Sequence, residues 1–195
     1  MQAEPLSSRR ATSPPPNPLT RCVFVTGPRG AGKTRWLQQQ IQDLREQQPD
    51  VRCVVLLGEE GRARMDRFAQ DTPGVSVRQF IQPCLCCPAL ADLPGMLRAL
   101  VAMLRPDWCF VEVPAITAAG LVAEFDRVLG WPRELVVCLD RAWAAARNEQ
   151  GLSLFQMVLL ELADRIVANP AGGGVHRDPA ARPPHSAPPS ALAFL

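Results

Sequence analysis

The chain has almost no lysine: Lys33 is the only one among 21 basic residues, and arginine supplies the rest. The net charge is only +2, which argues against the strongly basic surface of a nucleic-acid-binding or membrane-surface protein. Long apolar runs are also missing, and none approaches the ~18 residues that a transmembrane helix requires. These absences favour a globular protein without nucleic-acid or membrane partners. The presence of a single lysine among so many arginines also needs an explanation.

The seven cysteines do not form a secreted-type framework, because their number is odd and their spacing irregular. The first 20 residues contain no apolar stretch of the kind found in a secretory signal. We therefore expect a cytoplasmic protein whose cysteines are reduced, buried or bound to metal.

The composition divides the chain into a central region and two tails. Residues 1–20 are rich in Pro and Ser, and residues 171–195 in Pro, Ala and Gly, so both are expected to be disordered. Residues 21–170 are expected to form one domain in which apolar strands alternate with amphipathic helices. The predicted strands are Cys22–Thr26, Val51–Leu57, Val75–Phe80, Trp108–Val113, Leu135–Leu139 and Ile166–Ala168. The predicted helices lie near Lys33–Gln47, Leu90–Leu104, Ala118–Leu129 and Leu152–Leu162. This alternation predicts a three-layer α/β fold with a mainly parallel sheet and helices on both faces.

The lone lysine lies in "GPRGAGKT" (residues 27–34), which matches the phosphate-loop pattern G-x-x-x-x-G-K-[ST]. Glycines let the backbone curl so that its N–H groups point at phosphates, and the next helix directs its positive end there. Lys33 would reach the β- and γ-phosphates, and Thr34 would bind Mg²⁺. A narrow ammonium threads into such a loop where a broad guanidinium cannot, which explains the single lysine. The predicted nucleotide-binding residues are Gly27, Gly30, Ala31, Gly32, Lys33, Thr34 and Arg35.

A second cluster, "QPCLCCPAL", places Cys84, Cys86 and Cys87 within four residues. Thiolates this close together suit a soft metal such as Zn²⁺ or Cu(I). Cysteine is also a common buried residue, so the cluster alone leaves a core role open. The remaining cysteines fall inside predicted strands and are expected to be core residues: Cys22, Cys53, Cys109 and Cys138.

Together, the phosphate loop and the C-x-C-C cluster resemble the CobW-type P-loop GTPases, metallochaperones related to UreG and HypB. The resemblance extends from about Cys22 to Asn169. It also includes an acidic loop after the second strand ("GEEGRARMD"), a strand ending in Glu112 ("CFVEVPA"), and the later segments "VVCLD" and "ADRIVANPAG".

The resemblance implies a set of site residues and cofactors. Lys33 and Glu112 would be catalytic, Asn169 would contact the base, and Thr34, Asp66 and Glu112 would hold Mg²⁺. Glu59 would bind a transition metal such as Zn²⁺ together with the three clustered cysteines. In this family the loop that carries Glu59 and Asp66 would switch between nucleotide and metal.

The chain departs from the family pattern at several positions. The family's N-K-x-D motif should recognise guanine, but here Asn169 is followed by "PAG", so the preference for guanine is expected to fall by ~10²-fold or more. Gly58 stands where Asn is usual, Pro83 replaces a Gly before the cysteines, and Arg35 replaces a second hydroxyl. The family's C-terminal domain is not matched either. These departures are typical of a truncated or diverged member.

Several functions fit these observations. The leading prediction is a Mg²⁺-dependent NTPase that binds GTP, less surely ATP, and is coupled to binding or delivery of a transition metal to a client protein. The main alternative is a nucleotide- and metal-binding sensor or scaffold that does not hydrolyse nucleotide. A small-molecule kinase using the arginines of "GRARMDR", or a decaying fragment that folds poorly, are further alternatives.

Overall fold

The computed structural model describes residues 20–58, 62–79, 93–148 and 151–168. Within these ranges, six strands and six helices follow one another along the chain. In order they are β1 (Arg21–Thr26), α1 (Lys33–Gln47), β2 (Cys53–Leu57), α2 (Arg62–Asp71), β3 (Val75–Gln79), α3 (Leu93–Leu104), β4 (Trp108–Glu112), α4 (Ala115–Val128), β5 (Arg133–Leu139), α5 (Arg141–Asn148), α6 (Leu154–Leu162) and β6 (Arg165–Ala168).

The strands form one parallel sheet in the order β3-β2-β4-β1-β5-β6. The inner strands are continuous apolar runs because helices cover both of their faces, so successive side chains are buried on alternate sides. The predicted three-layer α/β fold is thus confirmed. The predicted strands agree with the observed ones to within two residues at each end.

Each face of the sheet has its own apolar core. On one face, α1 and α2 pack onto the sheet through Leu37, Ile41 and Met65, all fully buried. On the other face, α3, α4 and α6 supply the covering side chains, and Phe125 of α4 meets Phe24 of β1 edge-to-face with ring centroids 5.0 Å apart. The phosphate loop is therefore attached to a central strand that is clamped on both sides.

The helix α2 was not predicted, and Asp66, expected in a loop, lies inside it. The segment is helical because Met65 and Phe68, three residues apart, pack against the α1 side of the core while charged residues fill the opposite side. So few apolar residues give a weak periodic signal. Burial of Met65 and Phe68 in this core provides the stabilisation that the local sequence lacks.

The helix α5 was also missed, and its start explains Asp140. The carboxylate of Asp140 accepts a hydrogen bond from the Trp143 N–H at 2.8 Å, and its carbonyl accepts one from the Ala144 N–H at 3.0 Å. Asp140 therefore caps the N-terminus of α5. The aspartate that ends the segment "VVCLD" therefore has a structural role at the start of α5.

The folded region begins at least one residue before the predicted boundary at Arg21. Thr20 is buried, and its hydroxyl donates to the carbonyl of Pro106 at 2.7 Å. Residues 1–19 and 169–195, which include most of both predicted tails, lie outside the described ranges. No helix in the described part of the chain has the length and apolar character needed to cross a membrane.

A candidate nucleotide site at the switch point of the sheet

The phosphate loop lies where the strand order changes direction. The chain leaves β1 for β2 and β3 on one side of the sheet, returns to β4 beside β1, and then continues to β5 and β6 on the other side. The connection that follows β1 therefore leads to one side of the sheet, and the connection that follows β4 leads to the other. A crevice forms between them at the carboxyl end of the sheet. In open α/β sheets such a crevice is where ligands bind.

The loop conformation requires its glycines. Gly27, Gly30 and Gly32 have φ values of 140°, 83° and 85°, in the region that residues with a Cβ rarely adopt. At Gly27 the constraint is also steric, since a Cβ there would lie 2.1 Å from the carbonyl oxygen of Cys138 on β5. The loop thus rests directly on the backbone of β5.

The first turn of α1 is not capped by a side chain. Gly32 occupies the N-cap position, no side chain within the described ranges accepts a hydrogen bond there, and the first turn contains no acidic residue. The first N–H groups of a helix have no partner within the helix and form a ready site for an anion. The start of α1 and the phosphate loop therefore offer donors to the same space.

Lys33 is nearly buried, with 5% of its surface exposed. Its Nζ donates to the carbonyl of Gly27 at 3.0 Å and to that of Pro28 at 3.2 Å. The ammonium is thus held inside the curl of the loop. The approach of two backbone carbonyls leaves little room for the wider guanidinium of arginine.

Glu112 brings a carboxylate to the same side of the sheet. It is the last residue of β4, it is 5% exposed, and in the strand register it pairs with Val25 of β1 and Leu57 of β2. Since side chains alternate along a strand and Phe110 belongs to the α1/α2 core, Glu112 points to that face too.

The thiol of Cys138 is affected electrostatically by both Lys33 and Glu112. Burial raises its pKa to about 12, while the Lys33 ammonium opposes that rise and the Glu112 carboxylate adds to it. The ammonium and the carboxylate therefore both lie within electrostatic range of this thiol. The sequence predicted Cys138 only as a core residue; its burial is confirmed, and its position beneath the loop is new.

Gly58, which stands where the family usually has Asn, lies at a close approach between two strand ends. Its N–H donates to the carbonyl of Glu112 at 2.9 Å, and a Cβ built on it would lie 2.8 Å from that oxygen. A side chain here would push the ends of β2 and β4 apart. The change from the family pattern therefore has a structural reason.

Thr26, the last residue of β1, was not singled out from the sequence. It is fully buried, and its hydroxyl has no hydrogen-bond partner among the described residues. Threonine is common in strands, so nothing in the sequence pattern distinguishes it. Its hydroxyl lies one residue before the phosphate loop.

The other predicted site residues are distributed as follows. Thr34, partly buried, and Arg35, exposed, both lie in the first turn of α1, while Asp66 is partly buried on α2. Glu59, Asn169 and the cysteines of the C-x-C-C cluster (Cys84, Cys86 and Cys87) lie outside the described ranges. In the part of the chain that the structure describes, no three His, Cys, Asp or Glu side chains are grouped closely enough to hold a metal ion.

Asp164, the aspartate of the family landmark "ADRI" in the segment "ADRIVANPAG", connects β5 to the start of β6. One carboxylate oxygen of Asp164 accepts from the N–H of Leu135 at 2.8 Å and from the guanidinium of Arg133 at 2.9 Å. The N–H of Asp164 in turn donates to the carbonyl of Leu135 at 2.9 Å. This residue holds the start of β6 against β5, which gives the landmark a structural role.

A parallel sheet, a central strand leading through a glycine loop into an uncapped helix, and a lysine held in that loop define a P-loop nucleotide-binding domain. The sequence model of the family described as "CobW/HypB/UreG, nucleotide-binding domain" matches residues 21–170. The chain belongs to this family, as the motif resemblance indicated.

Comparison with one solved structure supports the fold. The signal recognition particle receptor FtsY from Elizabethkingia anophelis has a TM-score of 0.52 and 13% sequence identity over 76% of this chain. The match spans 49% of that structure's length, so this chain corresponds to about half of it. The Cys556Ala mutant of the Mycobacterium tuberculosis APS kinase CysC has a TM-score of 0.40 and 18% identity, covering 65% of this chain and 78% of its own. No curated protein sequence matches the chain significantly.

Proposed function

We propose that this protein is a Mg²⁺-dependent P-loop NTPase that binds GTP, less surely ATP. We further propose that it couples nucleotide state to binding or delivery of a transition metal such as zinc. The observation that carries the proposal is the convergence of a buried lysine, an uncapped helix start and a buried carboxylate at one end of the sheet. These groups suit a triphosphate and its metal ion better than they suit a core.

The loop and α1 supply the phosphate contacts. The Lys33 ammonium, now shared between two loop carbonyls, would exchange them for phosphate oxygens when nucleotide binds. The uncapped N–H groups of the first turn add donors that favour negative charge. Thr34, in that turn, carries the hydroxyl that the phosphate-loop pattern assigns to Mg²⁺.

Glu112 supports the Mg²⁺ side of the site. A carboxylate is the hard oxygen ligand that Mg²⁺ prefers, directly or through a bound water. Its burial also fits, because a nearby divalent cation would compensate the cost of keeping a negative charge away from solvent. Bound Mg²⁺ would neutralise charge on the phosphates, and catalysis of phosphoryl transfer rests mainly on such positioning and neutralisation.

Gly58 would connect the nucleotide site to the site of the transition metal. Its N–H donates to the carbonyl of Glu112, and the next residue in the chain is Glu59, a predicted ligand of the transported metal. Any movement of Glu112 on loss of the γ-phosphate would therefore pass directly to the acidic segment before α2. The C-x-C-C cluster would provide the remaining, softer ligands for this metal as cargo.

Calorimetric titration with GTP, ATP and GDP in Mg²⁺, with and without one equivalent of Zn²⁺, tests the proposal. We expect binding of triphosphate whose affinity changes when zinc is present, because linked sites alter each other's affinity equally. Equal affinities with and without zinc would remove the coupling and leave nucleotide binding. No binding of any nucleotide would remove the proposal altogether.

Paired variants separate the two sites. Glu112→Gln should abolish the part of the nucleotide affinity that depends on Mg²⁺. Glu124→Gln, at a half-buried residue of α4 that pairs with Arg127, should not. The double variant Cys86→Ser/Cys87→Ser should lose zinc in a competition assay with a chromophoric chelator. Cys22→Ala, which removes a thiol from the sheet core, should retain zinc.

A non-hydrolysing sensor is the second candidate, and the sequence "NPAG" at Asn169 favours it. The missing Lys and Asp of N-K-x-D would each have contacted the guanine, and losing hydrogen bonds of this kind lowers preference by roughly 10²-fold. Single-turnover hydrolysis of a labelled γ-phosphate distinguishes the two functions. Release of phosphate within minutes supports the NTPase, and retention of intact triphosphate over hours supports the sensor.

The kinase alternative has one structural observation in its favour. Gln38 of α1 and Arg64, Arg67 and Phe68 of α2 line an open cleft of about 460 Å³. Arginines beside a cleft are suited to an anionic phosphate acceptor. In a kinase the labelled phosphate would appear on an added small molecule and not as inorganic phosphate, and Arg64→Ala would reduce that transfer.

A further inference from the structure

The helix α6 exposes an unusual number of large apolar side chains. It carries five of the eight exposed large apolar residues found in the described part of the chain, while only Leu159 is buried. The five are Leu154, Phe155, Met157, Val158 and Leu162. Single exposed apolar residues are ordinary, but several on one short helix mark a binding surface.

These side chains form a defined face. Leu154, Val158 and Leu162 follow a four-residue spacing, so they lie on one stripe, with Met157 beside it. The start of the helix is held by a capping box, in which the Ser153 hydroxyl accepts from the Gln156 N–H and the Gln156 side chain accepts from the Ser153 N–H. A capped helix presents this stripe, here termed the α6 face, in a fixed arrangement.

The chain that follows the domain carries a segment of matching chemistry. After α6 the chain runs through β6 to Ala168, and residues 169–189 contain Val175 as their one large apolar residue. The next six residues, "SALAFL" (190–195), then bring Leu192, Phe194 and Leu195 together without any charge. An uncharged apolar segment of this kind fits an apolar stripe in which Glu161 is the one charged side chain, at the edge beside Met157.

We propose that residues 190–195 dock on the α6 face of the same chain. This inference is independent of the nucleotide and metal function. The contact would cover the exposed side chains of α6, and Phe194 would be the main anchor because an aromatic ring contributes the largest apolar area in the segment.

The tether is long enough for this contact. Residues 169–189 span at most about 75 Å when extended. A Gly-rich chain of that length has a root-mean-square span of about 25 Å, and the prolines of this tether increase that span. The α6 face is only about 14 Å long for nine residues. It also begins at the carboxyl end of the sheet, where β6 ends, because α6 and β6 run in opposite directions. A short tether gives an effective concentration on the order of millimolar, so even a weak contact forms within one chain.

Site-specific photo-cross-linking of the full chain tests the proposal. With benzoylphenylalanine at position 194, peptide mapping should place the cross-links within Leu154–Leu162. The same photoreactive residue at position 180, in the apolar-poor tether, is the control and should give no preference for α6. An equal mixture of ¹⁵N-labelled and unlabelled chains separates contacts within a chain from contacts between two copies. We expect both peptides of each cross-linked pair to be labelled or both to be unlabelled.

Two variants check that the α6 face is the partner. Leu154→Glu/Val158→Glu replaces exposed side chains and should lower the cross-link yield at position 194 at least about fivefold. Met103→Glu, an equally exposed apolar residue on α3, should leave the yield unchanged. Circular dichroism confirms that each variant is folded. Cross-links outside α6, mixed-isotope pairs, or an undiminished yield in the double variant would each overturn the proposal.

Discussion

Gly27 of the phosphate loop and Cys138 of β5 meet backbone to backbone. A Cβ on Gly27 would lie 2.1 Å from the Cys138 carbonyl oxygen, and Gly27 has a φ of 140°. This contact fixes the position of the phosphate loop on the sheet. It also makes the first glycine of the motif a requirement of packing as well as of ligand binding.

Gly27→Ala should therefore destabilise the protein by about 3 kcal/mol or more, because the methyl group meets backbone that cannot move away and the dihedral is strained. Urea unfolding measures the change. Gly120→Ala is the matched control, since no atom lies within 4 Å of its added Cβ and it is inside α4. The control should gain about 0.5–1 kcal/mol. Equal effects of the two substitutions would show that the contact with Cys138 is not restrictive.

Lys33→Arg should lower triphosphate affinity by about 10²-fold or more. The ammonium is held by two loop carbonyls at 3.0 and 3.2 Å, and the planar guanidinium needs more space than this curl provides. Calorimetry measures the affinity, and Trp36 in the first turn of α1 provides a fluorescence signal. Arg98→Lys on the exposed side of α3 is the reciprocal control and should bind normally. Unchanged affinity in Lys33→Arg would contradict the reason given for the single lysine.

Asp164→Ala should destabilise the protein by about 2–3 kcal/mol, since the backbone N–H of Leu135 and the guanidinium of Arg133 both lose their acceptor. Asp126→Ala removes the other partner of Arg133, but this residue is more exposed and should cost less than about 1 kcal/mol. Hydrogen exchange should show faster opening of β6 in the first variant only. Nucleotide affinity should remain unchanged in both; a selective loss in Asp164→Ala would instead give the landmark a role in binding.

Stability should fall above pH 9 because of the buried thiols. Burial raises the pKa of Cys53 and Cys138 to about 12 from 9.0. The folded form keeps these protons while the unfolded chain releases them, so stability is complete below pH 9 and declines between pH 9 and 12. Each thiol contributes about 1.4 kcal/mol per pH unit.

The protein has no tyrosine and one lysine, so the other groups that titrate in this alkaline range are mainly the remaining cysteines. Among them, a hydrogen bond with Cys22 and burial also hold the pKa of Cys109 well above its ordinary value, so the test isolates Cys138 by substitution. Cys138→Ala should therefore reduce the slope of unfolding free energy against pH by about one proton between pH 10 and 11. The slope is the relevant quantity, because the substitution also changes the absolute stability. A slope equal to that of the unsubstituted protein would mean that Cys138 ionises as readily when folded as when unfolded.

Local sequence was sufficient for much of this structure. Continuous apolar runs identified the strands, since both faces of a parallel sheet are covered, and the spacing of glycines with one lysine identified the phosphate loop. The helices α2 and α5 were missed for a physical reason. Each is short, and each depends on something outside its own periodicity. For α2 this is the burial of Met65 in the core beneath α1 and α2, and for α5 it is the Asp140 cap.

The local sequence does not predict that Lys33, Glu112 and Cys138 lie near one another. They are separated by up to 105 positions and become neighbours only because β4 and β5 flank β1 in the sheet. Strand order depends on the long-range packing of two apolar cores, which no local pattern encodes. The same holds for the buried hydroxyl of Thr26 and the exposed face of α6. Residue types along the chain specify which groups are available, and only the folded packing of the sheet specifies which of them meet.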